Sequence, residues 1–167
     1  WWHVHETESG RSDDSYFDTT RNSKNPEFIE IARRNGVRVW PMLSNLYEGK
    51  ADKEIVRSLL NSSEKQAALA ASIRDWLKAH DFDGLNLDLE SLNTEDYNRL
   101  PAFLDVLHKT LKAGNLGLSL DIEAGNDELR IKQLTANVDF VVVMMYDEHS
   151  EDGTPGPIAS INWTESI

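Results

Sequence analysis

Strand and helix patterns that alternate with short connections predict a parallel α/β fold. Three observations carry that expectation. Apolar runs of strand length recur between amphipathic helical stretches. Residues 138–146 are apolar on both faces, as a parallel strand covered on both sides must be. Within residues 82–90, Asn86, Asp88 and Glu90 line one strand face, whereas an open doubly wound sheet keeps its active groups in loops beyond the strand ends. A doubly wound sheet of five strands shares the same alternation, and the polar strand face weighs for a closed barrel against it.

The elements follow in order. Residues 1–4 (Trp-Trp-His-Val) read as the end of a strand, and the polar stretch 6–24 as a long loop. Asn25 and Pro26 suit a helix cap and first helical position, with Phe28, Ile31 and Ala32 as the apolar face and Gly36 as the stop. Residues 37–40 read as the next strand, ending or bulging at Pro41, which has no N–H for a ladder. A short helix is expected over 51–61. Ser62 or Ser63 caps a longer one, on which Leu69, Ile73, Trp76 and Leu77 form a stripe at helical spacing. After the polar strand, Asn93 or Thr94 caps a helix whose face is Leu100, Phe103, Leu104, Leu107 and Leu111, closed by Gly114. Pro101 inside it predicts a kink or a later start. Residues 116–122 then read as a strand, 127–134 as a short helix and 138–146 as the last strand.

Composition excludes several functions. Seventeen basic against twenty-nine acidic side chains give a net charge of −12, which disfavours nucleic-acid phosphates and anionic membrane surfaces. A neutral polysaccharide remains open as a partner. Without cysteine, neither disulfides nor thiol chemistry enters. The apolar runs fall short of the roughly 20 residues a membrane span needs.

The chemistry concentrates in Asp83-Gly84-Leu85-Asn86-Leu87-Asp88-Leu89-Glu90. On a strand, Asn86, Asp88 and Glu90 share one face while the three leucines take the other. Carboxyls held together push their pKa values apart, keeping one protonated near neutrality as a general acid. The competing reading is a solvated strand face, and alternation alone leaves both open.

This run resembles the active-site signature of family 18 glycoside hydrolases, the chitinases and their relatives: Asp-Gly-x-Asp-x-Asp-x-Glu at the end of the fourth strand of a (β/α)8 barrel. Asp83, Gly84, Asp88 and Glu90 match it, and Asn86 stands where many members carry Asp. Met144-Met145-Tyr146-Asp147 is similar to the family's Met-x-Tyr-Asp on strand six. Pro155-Gly156-Pro157-Ile158-Ala159-Ser160 further resembles a bacterial subgroup in which this domain is fused to a polysaccharide deacetylase and a glycosyltransferase.

The resemblance implies a fragment of a (β/α)8 TIM barrel covering about strands two to six, with residues 1–167 a partial catalytic domain truncated at both ends. It implies retaining, substrate-assisted hydrolysis of β-linked N-acetylglucosamine polysaccharide, with no metal or cofactor. Glu90 is then the acid, Asp88 the group that holds the acetamido N–H, and Tyr146 a donor to the acetamido oxygen. Met144 packs on the sugar, Asp147 contacts a hydroxyl or orients Tyr146, and Asp83 and Asn86 support Asp88. An extracellular or cell-envelope location fits such a substrate. A non-hydrolytic sugar-binding module on the same barrel is the alternative, and the presence of Glu90 favours the enzyme.

His3 and His5, with Glu6 nearby, are two histidines without a third partner at a fixed spacing and read as solvated or substrate-contacting groups rather than a metal site, and Asp147-Glu148-His149 reads the same way. Of the tryptophans, Trp76 falls on a helix stripe and reads as core. Trp1, Trp2 and Trp40, near strand ends, are the sugar-stacking candidates, ahead of Trp163.

Overall fold

The computed structural model describes residues 2–3, 26–47, 50–124, 128–146, 148–149 and 153–167. The expected loop 6–24, Asn25, Trp1, His5, Glu6 and Asp147 lie outside these residues, as do the side chains of Trp2 and His3.

Five parallel strands form one sheet: β1 (Trp2–His3), β2 (Met42–Ser44), β5 (Gly84–Asp88), β6 (Gly117–Glu123) and β7 (Phe140–Met144), in that spatial order. A separate antiparallel hairpin joins β3 (Leu46–Tyr47) to β4 (Lys50–Ala51). Each strand of the main sheet lies beside its predecessor in the sheet, with helical segments in between: α1 (Pro26–Arg34), then α2 (Lys53–Leu60) with α3 (Ser63–Ala79), then α4 (Thr94–Ala113), then α5 (Glu128–Thr135). A doubly wound sheet reverses its strand order at a switch point, and this one does not. The order is that of a sector of a (β/α)8 barrel.

Local chemistry explains the helices. Asp52 accepts the Ile55 N–H at 3.0 Å to cap α2, and Ser62 accepts the Lys65 N–H at 3.2 Å to cap α3. Asn93 and Asp96 form a reciprocal capping box on α4. That helix starts at Thr94 and runs through Pro101, so the later start does not occur. Leu43, Leu85, Leu87, Leu118 and Leu120 of the sheet pack with Leu69, Ile73 and Leu77 of α3 and Leu100, Phe103, Leu104, Leu107 and Leu111 of α4, all buried. Trp76 joins this layer at its margin, its ring 4.0 Å from His80 and 5.3 Å from Phe82 between centroids.

Two boundaries differ from expectation. Residues 37–40 are not a ladder strand; regular pairing begins at Met42, after Pro41. Proline cannot donate, so the approach to β5 is made otherwise: the Asp83 carboxylate accepts the Val39 N–H at 2.8 Å, and the Pro41 carbonyl accepts the Asn86 N–H at 2.9 Å. The last strand covers Phe140–Met144 rather than 138–146, and Phe140, Val142 and Val143 are exposed, because among the described residues β7 has a neighbour on one side only.

Candidate active site

The strand pairing sets two nearly identical heptapeptides side by side. Gly84-Leu85-Asn86-Leu87-Asp88-Leu89-Glu90 lies in register with Gly117-Leu118-Ser119-Leu120-Asp121-Ile122-Glu123, Gly84 opposite Gly117 and Leu87 opposite Leu120. In both, the leucine and isoleucine side chains enter the helix-facing core. The alternate positions therefore face the barrel interior together. Asn86 and Ser119 come first, then Asp88 and Asp121, then Glu90 and Glu123 toward the carboxyl ends of the strands, where barrel enzymes hold their active sites.

Specific contacts tie this face together. The Asn86 amide donates to Asp121 Oδ2 at 2.9 Å, and Ser119 Oγ donates to Asn86 Oδ1 at 2.6 Å. Asp88 is only 3% exposed, and its Oδ1 has no hydrogen-bond partner; neither has Oδ1 of Asp121. Burial, followed by the charges of Glu90, Asp121 and Glu123, raises the Asp88 pKa from 3.8 to about 6. Burial and then the Glu123 carboxylate raise that of Glu90. Asp121 is also raised, by burial, against the opposing hydrogen bond from Asn86.

Glu90 lies just past the end of β5 and is positioned by its backbone. Asn45, 1% exposed at the end of β2, accepts the Glu90 N–H at 2.8 Å and donates to the Glu90 carbonyl at 3.2 Å. Ser91 then turns the chain at φ 59°, a conformation uncommon for a non-glycine residue. Replacing Asn45 by Ala strips both partners from a half-buried peptide unit. The expected result is a loss of about 1–3 kcal/mol in denaturant unfolding, together with a fall in turnover that exceeds any change in KM.

A pocket of about 280 Å3 opens above these strand ends, lined by Glu90, Glu123, Ala124, Met144, Tyr146 and Trp163. The Tyr146 hydroxyl donates to Met144 Sδ at 2.9 Å. Trp163 belongs to α6 (Ile161–Ser166), whose cap Ser160 is gripped by Glu148: the carboxylate accepts the Ser160 N–H at 2.6 Å and its hydroxyl at 2.9 Å. The His149 ring occupies the space where a side chain at position 156 would sit, so any larger residue there would have to displace the ring. Glu148 and His149 thus close the loop that carries Trp163 to the pocket.

The structure brings Asp88, Asn86, Glu90, Met144 and Tyr146 together, and it corrects two expected site residues. Asp83 stands at the amino end of β5, roughly 16 Å of strand from Asp88, and holds the Val39 N–H. It pins the strand rather than supporting Asp88. Trp40 also lies at the amino end, its indole filling the space that side chains at Gly84 and Gly117 would occupy, with Phe140 5.1 Å away between centroids. It plugs the barrel floor instead of stacking on sugar, and the pocket tryptophan is Trp163. Sequence reasoning missed Asn45, Asp121 and Glu123. The repeated heptapeptide was the available signal for the two carboxylates.

Residues 8–167 match the family description Glycosyl hydrolases family 18. The uncharacterized glycosylase YvbX of Bacillus subtilis strain 168 is 25% identical over 149 residues, which cover 83% of this chain and 43% of that protein. A class V chitinase structure from Pseudomonas fluorescens Pf-5 is 26% identical with a TM-score of 0.74, covering 85% of this chain and 48% of that one. The spore cortex-lytic enzyme SleL of Bacillus cereus shares the fold, with 22% identity, a TM-score of 0.78, and coverage of 87% and 35%. The chain therefore spans less than half the length of each of these proteins. With a family match over nearly the whole chain and the paired carboxylates at the barrel's carboxyl ends, the chain belongs to glycosyl hydrolase family 18.

Proposed function

We propose that this domain hydrolyses β-linked N-acetylglucosamine-containing polysaccharide with retention, using the substrate's own acetamido group as nucleophile. The observation that carries the reading is Asp88: buried, without a donor at Oδ1, and directly below Glu90 on the same strand face. A buried acceptor of this kind requires a donor, and an acetamido N–H is one that a bound sugar supplies.

In this mechanism Glu90, its pKa raised so that it holds a proton nearer neutrality, protonates the glycosidic oxygen. The acetamido oxygen attacks the anomeric carbon, forming an oxazolinium ion and expelling the leaving sugar. Asp88 accepts the acetamido N–H and stabilises the developing positive charge. Tyr146 donates to the acetamido oxygen. Its hydroxyl donates to a thioether sulfur, a weak acceptor. Met144 and Trp163 supply apolar surface for the sugar. Asp147 contacts a sugar hydroxyl or orients Tyr146 in this reading, and no cofactor takes part.

Glu123 favours a second reading. It lines the pocket with Glu90, so a two-carboxylate scheme with Glu123 as nucleophile or base has the residues it needs. Oligosaccharides with an acetamido or a free amine on the cleaved sugar separate the two. Substrate assistance predicts that the amine form binds but is cut slower by more than about tenfold. Equal rates on both, with loss of turnover in Glu123→Gln, favour the two-carboxylate scheme. Binding with no cleavage of either form favours a sugar-binding module.

A polysaccharide substrate of this kind supports an extracellular or cell-envelope location. The resemblance of Pro155-Gly156-Pro157-Ile158-Ala159-Ser160 supports its placement beside deacetylase and glycosyltransferase domains in one polypeptide.

A further inference from the structure

The position before Asp88 on the same strand face holds Asn86, which hydrogen-bonds but does not titrate. Its amide is engaged at both ends, donating to Asp121 and accepting from Ser119. It makes no hydrogen bond to Asp88 Oδ1. Asp121 sits one residue beyond the paired Leu87 and Leu120, which makes it the cross-strand neighbour of Asp88 on the interior face. Adjacent strands lie about 4.8 Å apart. The Asn86 amide fixes Oδ2 of Asp121 and leaves its Oδ1 buried with no donor, the same condition as Oδ1 of Asp88. Two buried, unsatisfied acceptors side by side are costly, and one proton shared between them turns one into the donor for the other.

We propose that Asp121 is the proton partner of Asp88, a carboxyl carried on β6 and held by Asn86 in place of a second acid on β5. The pair holds one proton and one negative charge. Its catalytic consequence rests on the hydrolase reading above. When an acetamido N–H donates to Asp88, the O–H bond on Asp88 breaks and an O–H bond on Asp121 forms. Negative charge moves the opposite way, onto Asp88, as the oxazolinium charge develops, and no proton enters or leaves the site. Asp121 acts through Asp88 and is a positioning residue. The other titratable groups facing the pair are Glu90 and Glu123 at the mouth and Tyr146 beyond β7, while β2 presents the uncharged Ser44 opposite Asp88. Both Asp121 and Glu123 oppose ionisation of Asp88, as close neighbours must.

Carboxyl 13C NMR titration of the intact protein, with turnover of an N-acetylated oligosaccharide measured in parallel, tests the pairing. Asp88 should titrate in two coupled steps in the native protein and in one step in Asp121→Asn. That variant should lose about tenfold or more in kcat with KM changed less than about threefold. The relocated pair Asn86→Asp with Asp121→Asn should restore both the two-step titration and most of the rate. It also tests the idea if Asp121→Asn alone fails to fold. Two-step titration in a native protein that cleaves no N-acetylated oligosaccharide would support the pair and remove the hydrolase reading. A single-step Asp88 titration in the native protein, or native turnover in Asp121→Asn, would overturn the pairing.

Discussion

Glu90→Gln in the intact protein should lower turnover of an N-acetylglucosamine oligosaccharide by about 10²–10⁴, the contribution of a positioned general acid. Glutamine keeps the shape and the backbone bonds from Asn45, which do not involve the Glu90 side chain. Sugar affinity should therefore stay within a fewfold. Burial and the nearby Glu123 charge raise the Glu90 pKa, which suits it to the role of acid in the proposed mechanism. Removing that charge with Glu123→Gln should move the alkaline limb of the pH–rate profile downward. Steady-state kinetics across pH would check both, and a variant that changes affinity while leaving the rate intact would point to a binding module.

Asp88→Asn carries opposite effects on rate and stability. The rate should fall at least about 10²-fold, since the acetamido group loses the charge that stabilises its transition state. Stability follows linkage. Asp88 has a folded pKa near 6 against 3.8, so the folded state binds the proton more tightly. Stability from this group is complete below about pH 4 and declines as pH rises through 6. By pH 7 the negative charge held by Asp88 and its neighbour Asp121 costs on the order of 1–3 kcal/mol. The Asn variant should therefore be more stable than the native protein at pH 7, by about 1–3 kcal/mol after allowing for a buried amide. The gap should close toward pH 4. Urea unfolding at both pH values would reveal it, and a variant less stable at pH 7 than at pH 4 relative to native would contradict the assignment. The native site thus trades stability for function.

Helices and their faces were legible because they are local. Ser62 and Asn93 as caps, and the apolar faces of α3 and α4, depend on spacings of three and four residues that a chain displays directly. The residues 37–40 misled because β-branched, apolar composition signals a strand, while the missing N–H of Pro41 shifted regular pairing to Met42. Trp40 and Trp163 changed places for a related reason. Proximity to a strand end does not say which end, and Trp40 lies at the floor while Trp163 arrives from α6 through the loop clamped by Glu148.

By itself the sequence determined the parallel α/β alternation and the shared polar face of Asn86, Asp88 and Glu90, because side-chain alternation along one strand is a property of that strand alone, and Tyr146 became a candidate through the resemblance of its motif to the family. Only the tertiary structure decided that Asp121 and Glu123 stand beside them, that Asn45 holds the Glu90 backbone, and that Asp83 belongs to the other end of the barrel. Cross-strand register joins residues more than thirty positions apart, and whether a carboxyl is a solvated charge or a buried acid depends on what that register places against it.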